Sequence, residues 1–195
     1  MARRSGSHSE ITGPRIRAAA LSLFARHGFA AVSMRQIAAE VGVQAGALYL
    51  YTTDKEALLV DLLRDHMDTL IRTYDGRALP PDPHERLRDF VRFHIDYNRD
   101  HRDEVFLSYM ELRNLSPENF QLIEALRRGY EDRLGRILTD GRTEGRFTAP
   151  DIRLATMAII AMLNGVNTWF RDGGRLSLDE ISAIYCDMVE KTVAA

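Results

Sequence analysis

Apolar residues return every three to four positions along almost the whole of this chain, and that one period confines it to packed helices. No sustained period-two alternation rich in Val, Ile or Thr competes with it, so the expected class is all-α. Breakers and caps divide the pattern into about nine helices. Gly13-Pro14 opens the first, to Arg26, and Gly28 stops it. The second runs over 33–41, where Ser33 and Gln36 have capping-box spacing; the third covers 44–51 and the fourth 54–74. A linker over 75–83 holds Gly76, Pro80, Pro81 and Pro83. A fifth helix ends near Arg99, a sixth covers 103–114, and Ser116-Pro117-Glu118 opens a seventh to Thr139. Thr148 with Asp151 opens the eighth, to Phe170, and Ser177 with Glu180 opens the last, to Val193.

Charge is unevenly spread. The net charge is −2, yet residues 1–50 carry six arginines against two glutamates, +4, while the rest carries −6. A basic head on an acidic body points to a small polyanion-binding module joined to a larger domain. The single cysteine, Cys186, excludes an internal disulfide or a Cys-cluster zinc site. The longest apolar run, Met157 to Leu163, is far short of the roughly 20 residues a membrane helix needs. The first ten residues have no apolar segment of the secretory type. A soluble cytoplasmic protein with no membrane partner is the expectation.

Residues 33–51 read SMRQIAAEVGVQAGALYLY, two short helices around a Gly turn. Ala38 allows a close crossing, Gly42 suits a left-handed turn, and Val43 and Leu48 fill the space between the helices. The outer side of the second helix can then enter a major groove about 12 Å wide.

Over residues 15–63 this sequence resembles the tetracycline-repressor (TetR) family of bacterial one-component regulators. The resemblance rests on Ala20, Leu23-Phe24, His27-Gly28-Phe29, Ser33, Ile37-Ala38, Val41-Gly42-Val43, Leu48-Tyr49 and Lys55-Glu56-Ala57-Leu58. It implies an N-terminal DNA-binding domain, residues 1–53, with a helix-turn-helix, and a helical ligand-binding and dimerisation domain, residues 54–195. The sequence departs from the family at Gln44, usually Ser or Thr, at Tyr51, usually His, and at Thr52, usually Phe. By the resemblance, Tyr49 and Lys55 touch phosphates, and Tyr51 keeps such a contact through its hydroxyl. Ser33 caps a helix whose N-terminus faces a phosphate. Arg35 reaches a phosphate or a guanine edge. Gln44 is the only long polar side chain at the start of the recognition helix and can pair with adenine. Ala45 and Ala47 meet thymine methyls, Gly46 permits close approach, and DNA shape supplies part of the specificity. Arg3 and Arg4 lie in an N-terminal arm that either tracks the minor groove or is simply solvated.

The body offers inward aromatic and polar candidates. Phe90, His94, Tyr97, Phe106, Tyr109, Met110, Arg113, Met157, Asn164 and Trp169 form either plain core or the wall of a small-molecule site. His94, Glu111, Arg113, Asn164 and Asn167 would be costly inside unless paired with each other or with a ligand. The stretches MELRNLSPENF and NGVNTWFRDGGRLSLDEI are similar to the TetR branch that senses fatty-acyl or steroid-derived coenzyme A thioesters. If that holds, the effector is largely apolar. Helices eight and nine are the expected homodimer surface, with Ala158, Met162, Val166, Ile181, Ile184, Tyr185, Met188 and Val189 as candidates, against burial within one subunit.

The rival is an all-α metal protein or enzyme built on His94, Asp96, His101 and Asp103. His94 and Asp96 do not share a helix face, and no HExxH, P-loop, GxSxG or CxxC is present. The reading is therefore a regulator, not an enzyme, with no cofactor. It is expected to be a dimeric repressor on a pseudo-palindromic operator of half-sites ~34–36 Å apart.

Overall fold

Local caps decide where the helices begin. The computed structural model describes residues 6–194, with side chains from Thr12 onward; Arg3 and Arg4 fall outside the described residues. The helices are α1 (Gly6–His27), α2 (Met34–Val41), α3 (Ala45–Leu48), α4 (Lys55–Asp75), α5 (Pro83–Asp100), α6 (Arg102–Met110), α7 (Pro117–Thr143), α8 (Ile152–Trp169) and α9 (Leu178–Val193), with a 3-10 turn at Leu112–Asn114. The all-α class is what the sequence called for. None of these helices is long and apolar enough to cross a membrane.

The chain divides into two compact units. One comprises residues 1–67 and 103–124, the other 68–102 and 125–195. In the first, Ile16, Ala20, Phe24, Phe29, Val32, Ile37, Leu48, Leu58, Leu59 and Leu63 are buried together with Val105, Leu107, Leu112 and Ile123. Arg15 donates to the Val41 carbonyl at 2.8 Å, closing a backbone group left open at the end of α2. Arg17 reaches the Asp61 carbonyl and the Asp65 carboxylate on α4.

In the second unit, Leu87, Phe90, Val91 and Ile95 of α5 are buried with Leu134 and Leu138 of α7, Ile159 and Leu163 of α8 and Ile181 and Val189 of α9. Asp82 caps α5, accepting from His84 and Glu85, with Pro83 in the first position where its missing N–H costs nothing. Cys186 is buried on α9, its Sγ 3.7 Å from the Arg88 carbonyl. Residues 147 and 194 form an isolated antiparallel bridge, and Thr148 N donates to Val193 O at 3.0 Å.

Several boundaries differ from the sequence expectation, each for a local reason. Pro14 lies inside α1, where it forfeits one helical bond without ending the helix. α3 is one turn, because Leu50 and Tyr51 bond three residues back, to Ala47 and Leu48, in the tighter 3-10 manner. α6 ends at Met110. α7 runs through Gly141 to Thr143, and Gly145 (φ 69°) turns the chain. Gly141 is required: a Cβ there would stand 2.0 Å from the Phe147 ring. Asp151, not Thr148, caps α8, and Thr148 instead donates to the Ala194 carbonyl at 2.5 Å.

Candidate nucleic-acid interface

Helix α2 is fixed at both ends. Ser33 Oγ accepts from Gln36 N at 3.3 Å, and Gln36 Oε1 accepts from Ser33 N at 2.8 Å, the complete capping box. Gly42, at φ 76°, donates back to the Ala38 and Ala39 carbonyls. This left-handed residue reverses the chain into α3. Ile37, Ala38, Val41 and Leu48 are buried, so the opposite faces of α2 and α3 look outward.

The outward side carries most of the expected interface. Ser33, Arg35, Gln44, Tyr49 and Tyr51 are exposed, while Ala45 and Ala47 are half-buried. Gln44 begins α3 without using its side chain as a cap, so the amide projects outward. Tyr51 stands near Gly13 of α1, whose Cβ would lie 3.6 Å from the ring. Thr52 is buried and donates from Oγ1 to the Asp54 carbonyl at 2.9 Å, a polar fastening where the family usually has Phe.

Two findings change the expected picture. Lys55 Nζ donates to the Phe29 and Val32 carbonyls, each at 2.8 Å, and sits 4.2 Å from the centre of the Phe29 ring. An ammonium has three donors, so at most one remains for a phosphate. Periodicity cannot register that competition. The second is Leu50, which the sequence reading passed over. At 83% it is the most exposed large apolar side chain among the described residues. Gly46 and Leu50 flank the buried Leu48 two positions to either side, and nothing lies within 4 Å of where a Gly46 Cβ would be. The signal was present: once Leu48 faces the core, residues two positions away face the opposite side.

In the second unit, four polar side chains form a cluster, with His94, Asn98 and Tyr130 buried and Asn164 half-buried. Tyr130 Oη lies 3.0 Å from His94 Nδ1; His94 Nε2 and Asn98 Nδ2 lie 2.9 Å and 3.0 Å from Asn164 Oδ1. With the Asn164 oxygen as acceptor, Tyr130 donates to Nδ1, while Nε2–H and the Asn98 amide both donate to the Asn164 carbonyl, which leaves Asn98 Nδ2 and Nε2 as neighbouring donors 3.0 Å apart. Burial lowers the His94 pKa to about 4, opposed by the Asn164 hydrogen bond, so the ring is neutral at pH 7.

Residues 16–62 match the family described as bacterial regulatory proteins, tetR family, and residues 80–193 match the tetracyclin repressor-like C-terminal domain. The chain belongs to the TetR family. It is 28% identical to the fatty acid metabolism regulator protein of Bacillus subtilis, over 84% of this chain and 86% of that one. A TetR-family regulator from Rhodococcus RHA1 superposes with a TM-score of 0.88 at 30% identity, covering 95% of this chain and 98% of the other. AibR, crystallised with isovaleryl coenzyme A and operator DNA, superposes with a TM-score of 0.79 at 26% identity, covering 89% and 97%. These TetR relatives are transcriptional regulators rather than enzymes.

On this TetR body the inward assignments divide. Phe90, His94 and Tyr97 are buried and Asn164 is half-buried, as expected. Phe106, Tyr109, Met110 and Arg113 are exposed, which corrects the inward reading. Val105 to Met110 is apolar on nearly every side, so no period marks its buried face, and the helix ends before Arg113. The buried residues are Val105, Leu107, Ser108, Glu111 and Leu112. Met157 and Trp169 are likewise exposed, because α8 is apolar around most of its circumference and buries Thr156, Ile159, Ile160, Leu163 and Val166.

The same ambiguity touches the dimer candidates. Val166, Ile181 and Val189 are buried within the chain, whereas Ala158, Ile184 and Met188 are exposed and Met162 and Tyr185 half-buried. Leu154, 64% exposed, and Ala161 extend this outward face. The rival metal reading finds its two histidines engaged separately: His94 in the cluster above, and His101 stacked on Tyr97, ring centres 3.9 Å apart, with Nδ1 2.9 Å from the Tyr97 carbonyl.

Proposed function

We propose that this TetR-family chain is a cytoplasmic homodimeric repressor that binds a pseudo-palindromic operator and releases it on binding an acyl-coenzyme A thioester. The observation that carries the DNA reading is the recognition turn. Capping at Ser33 and Gly42 holds α2 and α3 with Arg35, Gln44, Tyr49 and Leu50 outward. Ser33 and Arg35 serve the phosphates at the α2 N-terminus, with Tyr49 and Tyr51 beside them. Gln44 reads a base edge, Ala45 meets a thymine methyl, and the third N–H of Lys55 is the one that reaches DNA.

The apolar outward face of α8 and α9 supports the homodimer. It includes a cavity of about 310 Å³ lined by Leu154, Ala158, Ile159 and Met162. The fatty acid regulator and the isovaleryl coenzyme A complex support the effector class, and Phe90, His94, Tyr97 and Asn164 are the residues we assign to it.

The test starts from random duplex DNA enriched on the purified protein, read by fluorescence anisotropy with and without isovaleryl and longer acyl coenzyme A. Enrichment of a two-fold site, and its release by one of these thioesters, is the expected result. No sequence preference overturns the DNA reading, and release by none of the series overturns the effector reading. Light scattering should give a dimer that Ile184→Asp converts to monomer.

A further inference from the structure

Glu111 stands apart from every other acidic side chain. Among the described residues it is the one buried acid, 4% exposed. It sits where α6 ends, and burying a carboxylate is expensive unless N–H groups are aimed at it. Two are. Phe29 N donates to Oε1 at 3.3 Å, and Asn114 Nδ2 donates to Oε2 at 2.6 Å. Asn114 belongs to the 3-10 turn that follows and orients the acid; Phe29 lies 82 positions away, in the turn between α1 and α2.

That turn is held from a second side. The carbonyls of Phe29 and Val32 accept from Lys55. A carboxylate therefore fixes the N–H of Phe29 while an ammonium fixes its C=O, so two consecutive peptide groups are each clamped by a group of opposite polarity. Gly28 suits the turn by its φ of 80°, and Glu111 Oε1 packs at ordinary contact distance, 3.5 Å from where a Cβ would stand. The residue after Val32 is Ser33, the N-cap of α2. The 103–124 segment is fastened a second time by Glu56, whose Oε1 accepts from Ser116 N and Asn119 Nδ2, both at 2.7 Å.

We propose that Glu111 is a positioning residue for operator binding: by accepting the Phe29 N–H it sets the α1–α2 turn, and with it the start of α2, so that the end of α6 governs affinity for DNA. This rests on the reading of α2 and α3 as the operator-binding elements. Glu111 touches no DNA itself. Its effect passes through one bond, and a small displacement of the 3-10 turn is enough to break it.

Two conservative variants separate position from charge. Glu111→Gln keeps an oxygen at Oε1 and loses the charge; its Nε2 then takes the place of Oε2, and the Asn114 amide must turn to accept through Oδ1. Glu111→Asp keeps the charge and withdraws it by one methylene. The probe is the duplex enriched on the wild type, so failure of the wild type to enrich any site defeats the DNA reading and not this one. With that duplex, Glu111→Asp should bind about tenfold more weakly, the scale of one hydrogen bond to a charged group, and Glu111→Gln should rescue most of the affinity. Hydrogen exchange at the Phe29 amide should accelerate in Glu111→Asp and stay slow in Glu111→Gln. Amides of the second unit, such as those of Phe90 and Ile160, should not change in either. Equal affinity of all three proteins overturns the proposal. So does weak binding by Glu111→Gln with a protected Phe29 amide, which would make charge rather than position the cause.

Discussion

The recognition turn and the α5–α8–α9 body are both helical and each rests on buried apolar side chains, yet they are specified differently. In the turn, a few positions carry the geometry: a cap at Ser33, a left-handed glycine at Gly42, a core knob at Leu48. In the body, α8 is apolar on most of its circumference, and the fold selects which side faces inward. One region is defined by geometry at single positions, the other by total apolar volume. Substitutions should therefore cost stability in the body and cost DNA affinity in the turn.

Phe90→Ala gives the largest expected effect. Phe90 is fully buried, in ring contact with Tyr74 and Tyr130, and its truncation should cost about 3–5 kcal/mol in urea unfolding. A loss below about 1 kcal/mol would show that the body tolerates cavities as a surface does. His94 comes next. Its pKa is depressed in the fold, so the stability it contributes is complete above the unfolded value near 6.5 and is lost as pH falls toward about 4. Wild type should lose about 3 kcal/mol more over that window than His94→Gln does. Parallel pH curves for the two proteins would remove the neutral buried imidazole.

Gly141→Ala should cost about 1–3 kcal/mol, because the Phe147 ring must leave its seat, and DNA affinity per folded molecule should not change. The smallest effect on folding sharpens the contrast from the other side. Leu50→Ala should leave stability within about 0.5 kcal/mol, since the side chain is exposed, yet weaken the enriched duplex about tenfold. Replacing thymine by uracil across that duplex should weaken wild type more than Leu50→Ala at one position in each half-site. If no thymine methyl matters, Leu50 does not face the bases.

What could be read from the residues follows the same division. The capping boxes at Ser33–Gln36 and Ser177–Glu180 and the Ser116-Pro117 start were legible because such signals lie between neighbours in the chain, whereas the Asp82 cap of α5 was read as linker. The outward placement of Gln44 and Tyr49 followed from Ile37, Val41 and Leu48 taking the inside. Phe106, Tyr109 and Met110 were misread because Val105 to Met110 is apolar on nearly every side and has no face to read, and Arg113 because α6 ends before it. The resemblance gave Lys55 to phosphate, and its competing carbonyl partners were hidden because they lie 26 and 23 positions earlier in the chain. His94 and Asn164 could be marked as needing partners; that they partner each other depends on α5 and α8 lying side by side.

Cys186 has a practical consequence. It is the only thiol in the chain, buried on α9, with its pKa raised by that burial. The thiolate is the form that reacts with maleimides and spin labels, so the native thiol should stay silent at neutral pH. A single cysteine introduced at Gln44 or Glu40 would then be the only labelled position in each copy, with no background to subtract. Paired spin labels on two copies would report the span between recognition turns directly, with and without an acyl coenzyme A.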